Sequence, residues 1–384
     1  MQYQLIEDFT SLQTLCQQYS KASVLAIDTE FVRTRTLYPK LGLLQVFDGE
    51  QLALIDPVAI NDLSPFWQLL TNENIIKVLH ACSEDLEVFL TSAHCKPVNL
   101  IDSQIMMSFL GHGLSMGYAA MVEHFIDIKL DKSASRTDWM KRPLSLSQLT
   151  YASADVEHLF NIYPKLVAQI EQAGWLEHAK QDTQLLIERK FTPINENQLY
   201  RQIKLAWRLS PKQLNGLQHL VKWRYQQAKM RDLPLGFVVK EHTLMAVASN
   251  SPDSLCAMNK LDGAELLDIR HKGKAMLAVL KKASKDDAAD YPQKIQRLDE
   301  YPGYKQTFKN IKTFLTAVCE KHNLAMENLA SKKQINQFLT WYFDLNEAKK
   351  LSSETGETPD ILTAWRKELF GKALQEFADQ GFKF

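Results

Sequence analysis

Asp28 and Glu30 lie two residues apart in VLAIDTEF, residues 24–31, a stretch apolar and β-branched enough to predict a strand. Alternation along a strand puts both carboxyls on one face of its sheet. Among Val24, Leu25, Ala26, Ile27 and Phe31 they repel each other and lose hydration unless something compensates. A divalent cation does so. Hard cations such as Mg²⁺ take oxygen ligands and bind through a few carboxylates plus substrate phosphate. Two further places offer related chemistry. Asp85 stands where the predicted strand IIKVLHA, residues 75–81, gives way to a helical pattern. Tyr151 and Asp155 are four apart in a predicted helix, hence one turn apart on one face. Each feature alone has a plainer reading. A D-x-E is commonly a strand end whose acids reach water. An acid at a helix start gains about 0.3–1 kcal/mol from the dipole. Only the combination, in this order, discriminates.

The elements that must position these residues follow from the hydrophobic pattern. LGLLQVFD at 41–48 and LALIDP at 52–57 predict two more strands, joined by a hairpin turn at Asp48-Gly49. Leu86, Phe89 and Leu90 share one helical face after a Ser83-Glu84-Asp85 start. LIDSQIMMSFLG and MGYAAMVEHFI have helical spacing. Residues 146–172 predict a long helix carrying Leu149, Ala152, Val156, Leu159 and Ile162. Strands followed by helices in this order predict an α/β or α+β sheet domain.

From about residue 200 onward no strand signal stands out. Leu217, Leu220 and Val221 form a helical stripe, as do Leu244, Val247 and Ala248, and then Met276, Leu277 and Leu280. ASKDDAADYPQK at 283–294 predicts a linker, and Phe308, Ile311, Phe314 and Leu315 open a second helical stretch. NEAKKLSSETGETPD at 346–360 predicts a long polar loop. The expected organisation is a sheet domain over 1–200 and two helical domains over 208–284 and 295–378.

Composition sets outer bounds. With 384 residues, 45% hydrophobic and 23% charged, the chain is an ordinary globular protein and not a disordered one. No apolar run reaches the roughly 18 residues a membrane helix needs. MQYQLIEDFT is polar and acidic where a signal peptide is basic and then apolar. The 5 cysteines are scattered without a CxxC pair, which supports neither a disulfide framework nor a zinc site. The expectation is a cytoplasmic protein that meets no membrane. The net charge of zero hides a split: residues 1–190 carry 15 basic and 23 acidic side chains, and residues 191–282 carry 15 and 7. Such asymmetry points mildly to a polyanion partner.

Taken together, D-x-E on the first long strand, an acid at a helix start and Y-x-x-x-D on a late helix resemble the DEDD exonuclease superfamily in its Tyr-containing variant. The stretches IDTEFVRTRTLYPKLGLLQVFDG, LHACSEDLEVF, LIDSQIM and LDKSASRTDWMKRPLSLSQLTYASADV, together with the basic helical block, resemble the bacterial ribonuclease D family. They cover most of residues 24–160 in the expected order. The resemblance implies a ribonuclease-H-like mixed sheet flanked by helices, and a 3′→5′ exoribonuclease that releases nucleoside 5′-monophosphates and matures tRNA precursor 3′ ends. It implies two divalent metal ions, Mg²⁺ or Mn²⁺. Asp28, Glu30 and Asp155 would hold the one that activates water. Asp28 would bridge to the second, supported by Asp85, and Tyr151 would orient the water. Cys82 stands where related sequences have glycine, a change a small thiol tolerates. Asp102, His80 and Asp138 lie nearby and are left out of the expected site.

Residues 208–282 resemble the HRDC domain, a small helical module, most firmly at Arg231-Asp232, Leu233-Pro234 and Phe237-Val238-Val239. Residues 295–375 resemble a second, divergent copy. Lys222, Arg224, Lys229, Arg231, Lys240, Lys272 and Lys274 are candidate phosphate contacts, giving salt-dependent affinity without sequence reading. Trp207, Trp223 and Tyr225 stack on bases or, the plainer reading, fill helix cores. The expected partners are tRNA precursors and other small structured RNAs, bound by a monomer. Two alternatives stay open: an exonuclease acting on single-stranded DNA, and an RNA-binding scaffold with an inactive nuclease domain.

Overall fold

The computed structural model describes residues 2–131, 135–355 and 358–383. Its N-terminal part is built on one mixed sheet. The strands are β1 (Gln4–Ile6), β2 (Val24–Val32), β3 (Lys40–Phe47), β4 (Leu52–Ile55), β5 (Ile76–Leu79) and β6 (Leu100–Asp102), in the order β1-β4-β3-β2-β5-β6. β2, β3 and β4 form an antiparallel meander, while β5 and β6 run parallel to β2 and β1 runs parallel to β4. β2 is therefore an interior strand, paired on both edges.

Helices α1 (Phe9–Tyr19) and α2 (Ser64–Leu70) cover one face. There Leu12, Leu15, Phe66 and Leu70 pack on Leu25, Ile27, Leu44 and Val46. The stretch continues through α3 (Asp85–Val88), α4 (Ser103–Phe109) and α5 (Tyr118–Ile126) to α6 (Leu146–Gln172) and α7 (Leu176–Phe191). α6 lies across the other face, where Ala152, Val156, Leu159 and Ile162 meet Ala26, Leu43, Phe47 and Val78. Each buried Val, Leu, Ile or Phe among them contributes about 1.5–3 kcal/mol. A capping box opens α6, with the Ser145 hydroxyl accepting the Gln148 N–H and the Gln148 amide oxygen accepting the Ser145 N–H.

The predicted strands and the predicted helix over 146–172 form. Three features differ. β1 and β6 carry no sequence signal, and Leu100–Asp102 opens a stretch whose spacing looked helical. Both strands are three residues long, too short for a period to show, and pairing with β4 and β5 creates them. The polar stretch 346–360 also holds a helix, Ala348–Thr355, where a loop was expected. Within two of the stretches singled out above, residues 132–134 and 356–357 lie outside the described residues.

Beyond the sheet come α8 (Pro211–Arg231), α9 (Leu235–Val238), α10 (Glu241–Asn250), α11 (Leu255–Met258) and α12 (Leu266–Ala283). These close a core of their own from Leu214, Leu217, Leu220, Leu244, Val247 and Met276. The last block holds α13 (Tyr304–His322), α14 (Met326–Leu329), α15 (Lys332–Tyr342), α16 (Ala348–Thr355), α17 (Ala364–Arg366) and α18 (Lys372–Asp379). Its core of Ile311, Leu315, Phe338 and Leu374 is continuous with the sheet face beneath α6. Trp365 joins the two edge-on to Phe109, with ring centroids 5.4 Å apart.

The three bodies contact one another in a closed circuit. Arg366 and the Trp365 indole bond Asp182 of α7. The Asp232 carboxylate at the end of α8 accepts the N–H groups of Leu37 and Tyr38, both at 3.0 Å, in the β2–β3 connection. Between the helical blocks, Arg201 donates to the Asn346 carbonyl at 3.0 Å and Arg297 stacks over Trp207 at 4.3 Å. No helix among the described residues is long and apolar enough to cross a membrane.

Candidate active site

β2 delivers Asp28 and Glu30 to the face covered by α6, opposite Gln45 and Leu43 of β3. The register shifts after Glu30, so the regular ladder ends at the two acids. α6 brings Asp155 over them. One carboxylate oxygen from each of Asp28, Glu30 and Asp155 lies within 4.8 Å of the others. Asp155 is buried, and Asp28 and Glu30 are half-buried.

Asp85 lies outside that group of three but beside it. It opens α3, is buried, and accepts the Thr29 hydroxyl from between the two strand acids. Its position depends on the turn leaving β5. There Ala81 adopts a positive φ of 55°, and the Asp102 carboxylate accepts the N–H groups of Ala81 and Cys82, each at 2.9 Å. Asp102 also caps α4 through the Gln104 N–H. It is thus a clamp on the turn that aims Asp85. His80 is hydrogen-bonded to Ser103 Oγ and the Met116 carbonyl, consistent with a structural residue. Asp138 is exposed and accepts the Met140 N–H.

Tyr151 sits one turn before Asp155 on α6, and its hydroxyl holds the Asp155 carboxyl lower than burial alone would. Trp139 packs beside it, ring centroids 6.3 Å apart. Arg142 ties this segment to the sheet. Its guanidinium bonds both Asp56 oxygens at 2.6 Å and the carbonyls of Gly42 and Trp139. Gly42 permits the approach, since a Cβ there would lie 2.7 Å from Trp139 atoms. Tyr118 of α5 donates to the Asp155 carbonyl and so ties α5 to α6.

The electrostatics are those of an uncompensated anion cluster. Burial, then the charges of Asp85, Asp155 and Glu30, push the Asp28 carboxyl well above the usual range. Burial, with Asp155 and Asp85, lifts Glu30 to about 9. Burial lifts Asp155 to about 7 against the Tyr151 hydroxyl, and Asp85 to about 6 against the Thr29 hydroxyl. The Tyr151 hydroxyl is pushed up by burial and by the same acids, so it keeps its proton. Among the described residues no Lys or Arg offsets these charges. An all-oxygen donor set in need of positive charge fits hard divalent cations.

The five expected residues therefore meet at one place, three of the acids in mutual reach and Asp85 adjoining them. Thr29 and Tyr118 were not read from the sequence, and Asp102, legible there as a candidate cap of the helix after Ile101, was left out of the expected site. Thr29 had one signal, its place between two acids, while Tyr118 and the clamping role of Asp102 depend on contacts between distant elements. One expected phosphate contact is corrected. Arg224 is 6% exposed and its guanidinium points at the Val239 carbonyl, because it lies on the core side of α8. Lys229 pairs with Glu196, and Lys222 donates to Asn197.

Comparison with known proteins places this geometry in a family. The 3′-5′ exonuclease family matches residues 3–171, the HRDC domain family matches 213–280, and the family described as the C-terminal HRDC domain of ribonuclease D matches 302–374. Ribonuclease D of Serratia proteamaculans is 42% identical over 376 residues, covering 98% of this chain and 99% of the relative. Ribonuclease D of Escherichia coli is 43% identical over 380 residues, covering 99% of each. The crystal structure of the Escherichia coli enzyme, described as an exoribonuclease involved in structured RNA processing, superposes with a TM-score of 0.93 at 42% identity, covering 99% of each chain. The mixed sheet is thus the ribonuclease-H-like exonuclease domain, and HRDC-type helical domains follow it.

Proposed function

The chain belongs to the ribonuclease D family, a 3′→5′ exoribonuclease, and from that premise we propose that it trims the 3′ ends of tRNA precursors and other small structured RNAs with two divalent cations, Mg²⁺ or Mn²⁺. It works as a cytoplasmic monomer. The nuclease domain spans 1–200, and the two helical domains span 208–284 and 295–378. The observation that carries this reading is the meeting of Asp28, Glu30 and Asp155 oxygens within 4.8 Å, beside Tyr151 and Asp85.

Hydrolysis of a phosphodiester by water builds negative charge on the attacking and leaving oxygens. Divalent cations bound there would supply the positive charge that activates that water and stabilises both oxygens. Asp28, Glu30 and Asp155 would hold one cation, and Asp28 with Asp85 would hold the other. Tyr151, one turn from Asp155 on α6, would orient that water through its hydroxyl. The helical domains contribute salt-dependent contacts to phosphates, through exposed groups such as Arg231, Lys240 and Lys274.

The test uses a 5′-labelled tRNA precursor with a 3′ trailer, with Mg²⁺ or Mn²⁺, and Asp155→Ala as control. The expected result is a ladder shortening from the 3′ end, with nucleoside monophosphates released and the control inert. Asp28→Ala is expected to abolish cleavage while leaving RNA affinity nearly unchanged. RNA binding without shortening under either metal would reduce the protein to a scaffold. Faster degradation of a DNA oligonucleotide than of its RNA counterpart would move the substrate to DNA.

A further inference from the structure

Gln45 sits in the middle of β3, directly opposite Asp28 of β2. Residues paired in this way on antiparallel strands have Cβ atoms about 4.5–5.5 Å apart on one face. Its neighbours along that face, Leu43 and Phe47, belong to the apolar layer under α6, the helix that carries Asp155. Gln45 is fully buried, and neither its Oε1 nor its Nε2 has a hydrogen-bond partner among the described residues. A buried amide left unpaired costs stability, and an apolar side chain of similar shape there avoids that cost.

The acids of the site are not equally served by donors. Asp85 receives the Thr29 hydroxyl, and the Tyr151 hydroxyl holds the Asp155 carboxyl lower than burial alone would. Among the described residues no side chain donates a hydrogen bond to the Asp28 carboxyl. Carboxylates that ligate a metal are generally held by hydrogen bonds to their remaining oxygen, and loss of such a partner costs about 10–100-fold in metal affinity or activity. A glutamine side chain ends in a soft torsion, so a small rotation re-aims its amide.

We infer that Gln45 is the positioning residue for Asp28: its amide N–H donates to the Asp28 carboxylate when a divalent cation occupies the site, and so fixes the orientation in which Asp28 ligates. This rests on the metal-dependent reading above. The polypeptide then tolerates an unsatisfied amide in its core because the loaded site uses it.

The experiment compares the full-length protein with Gln45→Met, which keeps the volume and removes the amide. Mn²⁺ binding is measured by calorimetry without RNA, alongside the melting temperature with and without Mn²⁺, and kcat and KM on a short RNA. Gln45→Met is expected to melt no lower than the parent when metal-free. It should bind Mn²⁺ about 10–100-fold more weakly, and lose kcat with KM for RNA unchanged. Parental Mn²⁺ affinity in the variant overturns the proposal. So does a fall in the metal-free melting temperature with Mn²⁺ affinity intact, which would mark a packing role. Should Gln45→Met not fold, Gln45→Asn, one methylene shorter, is expected to fold and to show the same weakened binding. Parental affinity there also overturns it. Asp155→Ala serves as reference. If it binds Mn²⁺ as the parent does, the metal site itself is misplaced, which is a different failure from that of Gln45.

Discussion

At Asp182 and at Asp28 this chain half-buries carboxylates and treats them in opposite ways. Asp182 receives two N–H groups of Arg366, at 2.6 and 3.0 Å, and the Trp365 indole at 2.8 Å. Arg366 spends its other donors on the carbonyls of Leu329 and Asn328. The network is complete within the polypeptide. Around Asp28, several acids crowd together with no cationic side chain among the described residues. A completed charge network fastens one body to another, and here it fastens the last helical block to the nuclease domain. An incomplete one spends folding energy on a site that is satisfied from outside. The same contrast separates the two helical blocks. The last shares a continuous apolar core with the sheet, while the middle block closes its own core and clasps the β2–β3 connection through Asp232.

The largest effect should come from breaking the completed network. Arg366→Ala leaves Asp182 and two carbonyls without their donor and should cost about 3–5 kcal/mol in a urea titration. A loss below about 1 kcal/mol would mean that apolar contacts alone hold the block.

The opposite sign is expected at the incomplete network. A carboxyl whose folded pKa is raised stabilises the fold below its unfolded value near 4, and that contribution is lost as pH climbs through the folded value. With Asp85 lifted to about 6, Asp155 to about 7 and Glu30 to about 9, metal-free protein should lose stability steadily between pH 4 and pH 9. Asp155→Asn should flatten this decline and raise stability at pH 8 by roughly 1–3 kcal/mol, while abolishing cleavage. Thermal melts in chelator across that range test it, and a flat parental profile contradicts it.

A smaller change tests the looser clasp. Asp232→Ala removes the acceptor of two N–H groups and should cost about 1–2 kcal/mol. Trimming of a structured RNA should slow several-fold, with little change on a short unstructured one. Equal slowing on both substrates would deny the middle block a positioning role. The smallest effect belongs to the exposed basic face. Lys240→Ala should shift stability by no more than about 0.5 kcal/mol. It should lower the salt slope of RNA binding by about 1. An unchanged slope would exclude Lys240 from the RNA path.

Much of the site was legible because it lies on long, strongly patterned elements. α6 shows its period over many residues and β2 is a long apolar, β-branched run, so the side of the element on which Asp28, Glu30, Tyr151 and Asp155 fall follows from counting. α6 spans Leu146–Gln172, the range read from the pattern. β1 and β6 were illegible because three residues hold no period. The helix at 348–355 was illegible because its residues are mostly polar and its neighbours had to be known. Arg224 read as a surface cation because charge implies exposure on average, and only the packing of α8 against its neighbours buries it.

Residue types and spacing by themselves determined that two strand acids, a helix-start acid and a helical Tyr–Asp pair were available for metal-dependent chemistry, and that an α/β or α+β sheet domain precedes helical ones. These are local properties, since periodicity and chemical type are written in neighbouring residues. Tertiary structure alone decided which oxygens come within reach of one another, that Gln45 faces Asp28 without a partner, and that the last helical block shares the nuclease core while the middle one does not. Those facts depend on register and docking between segments tens to hundreds of residues apart. They are set by the burial of whole faces rather than by any local pattern.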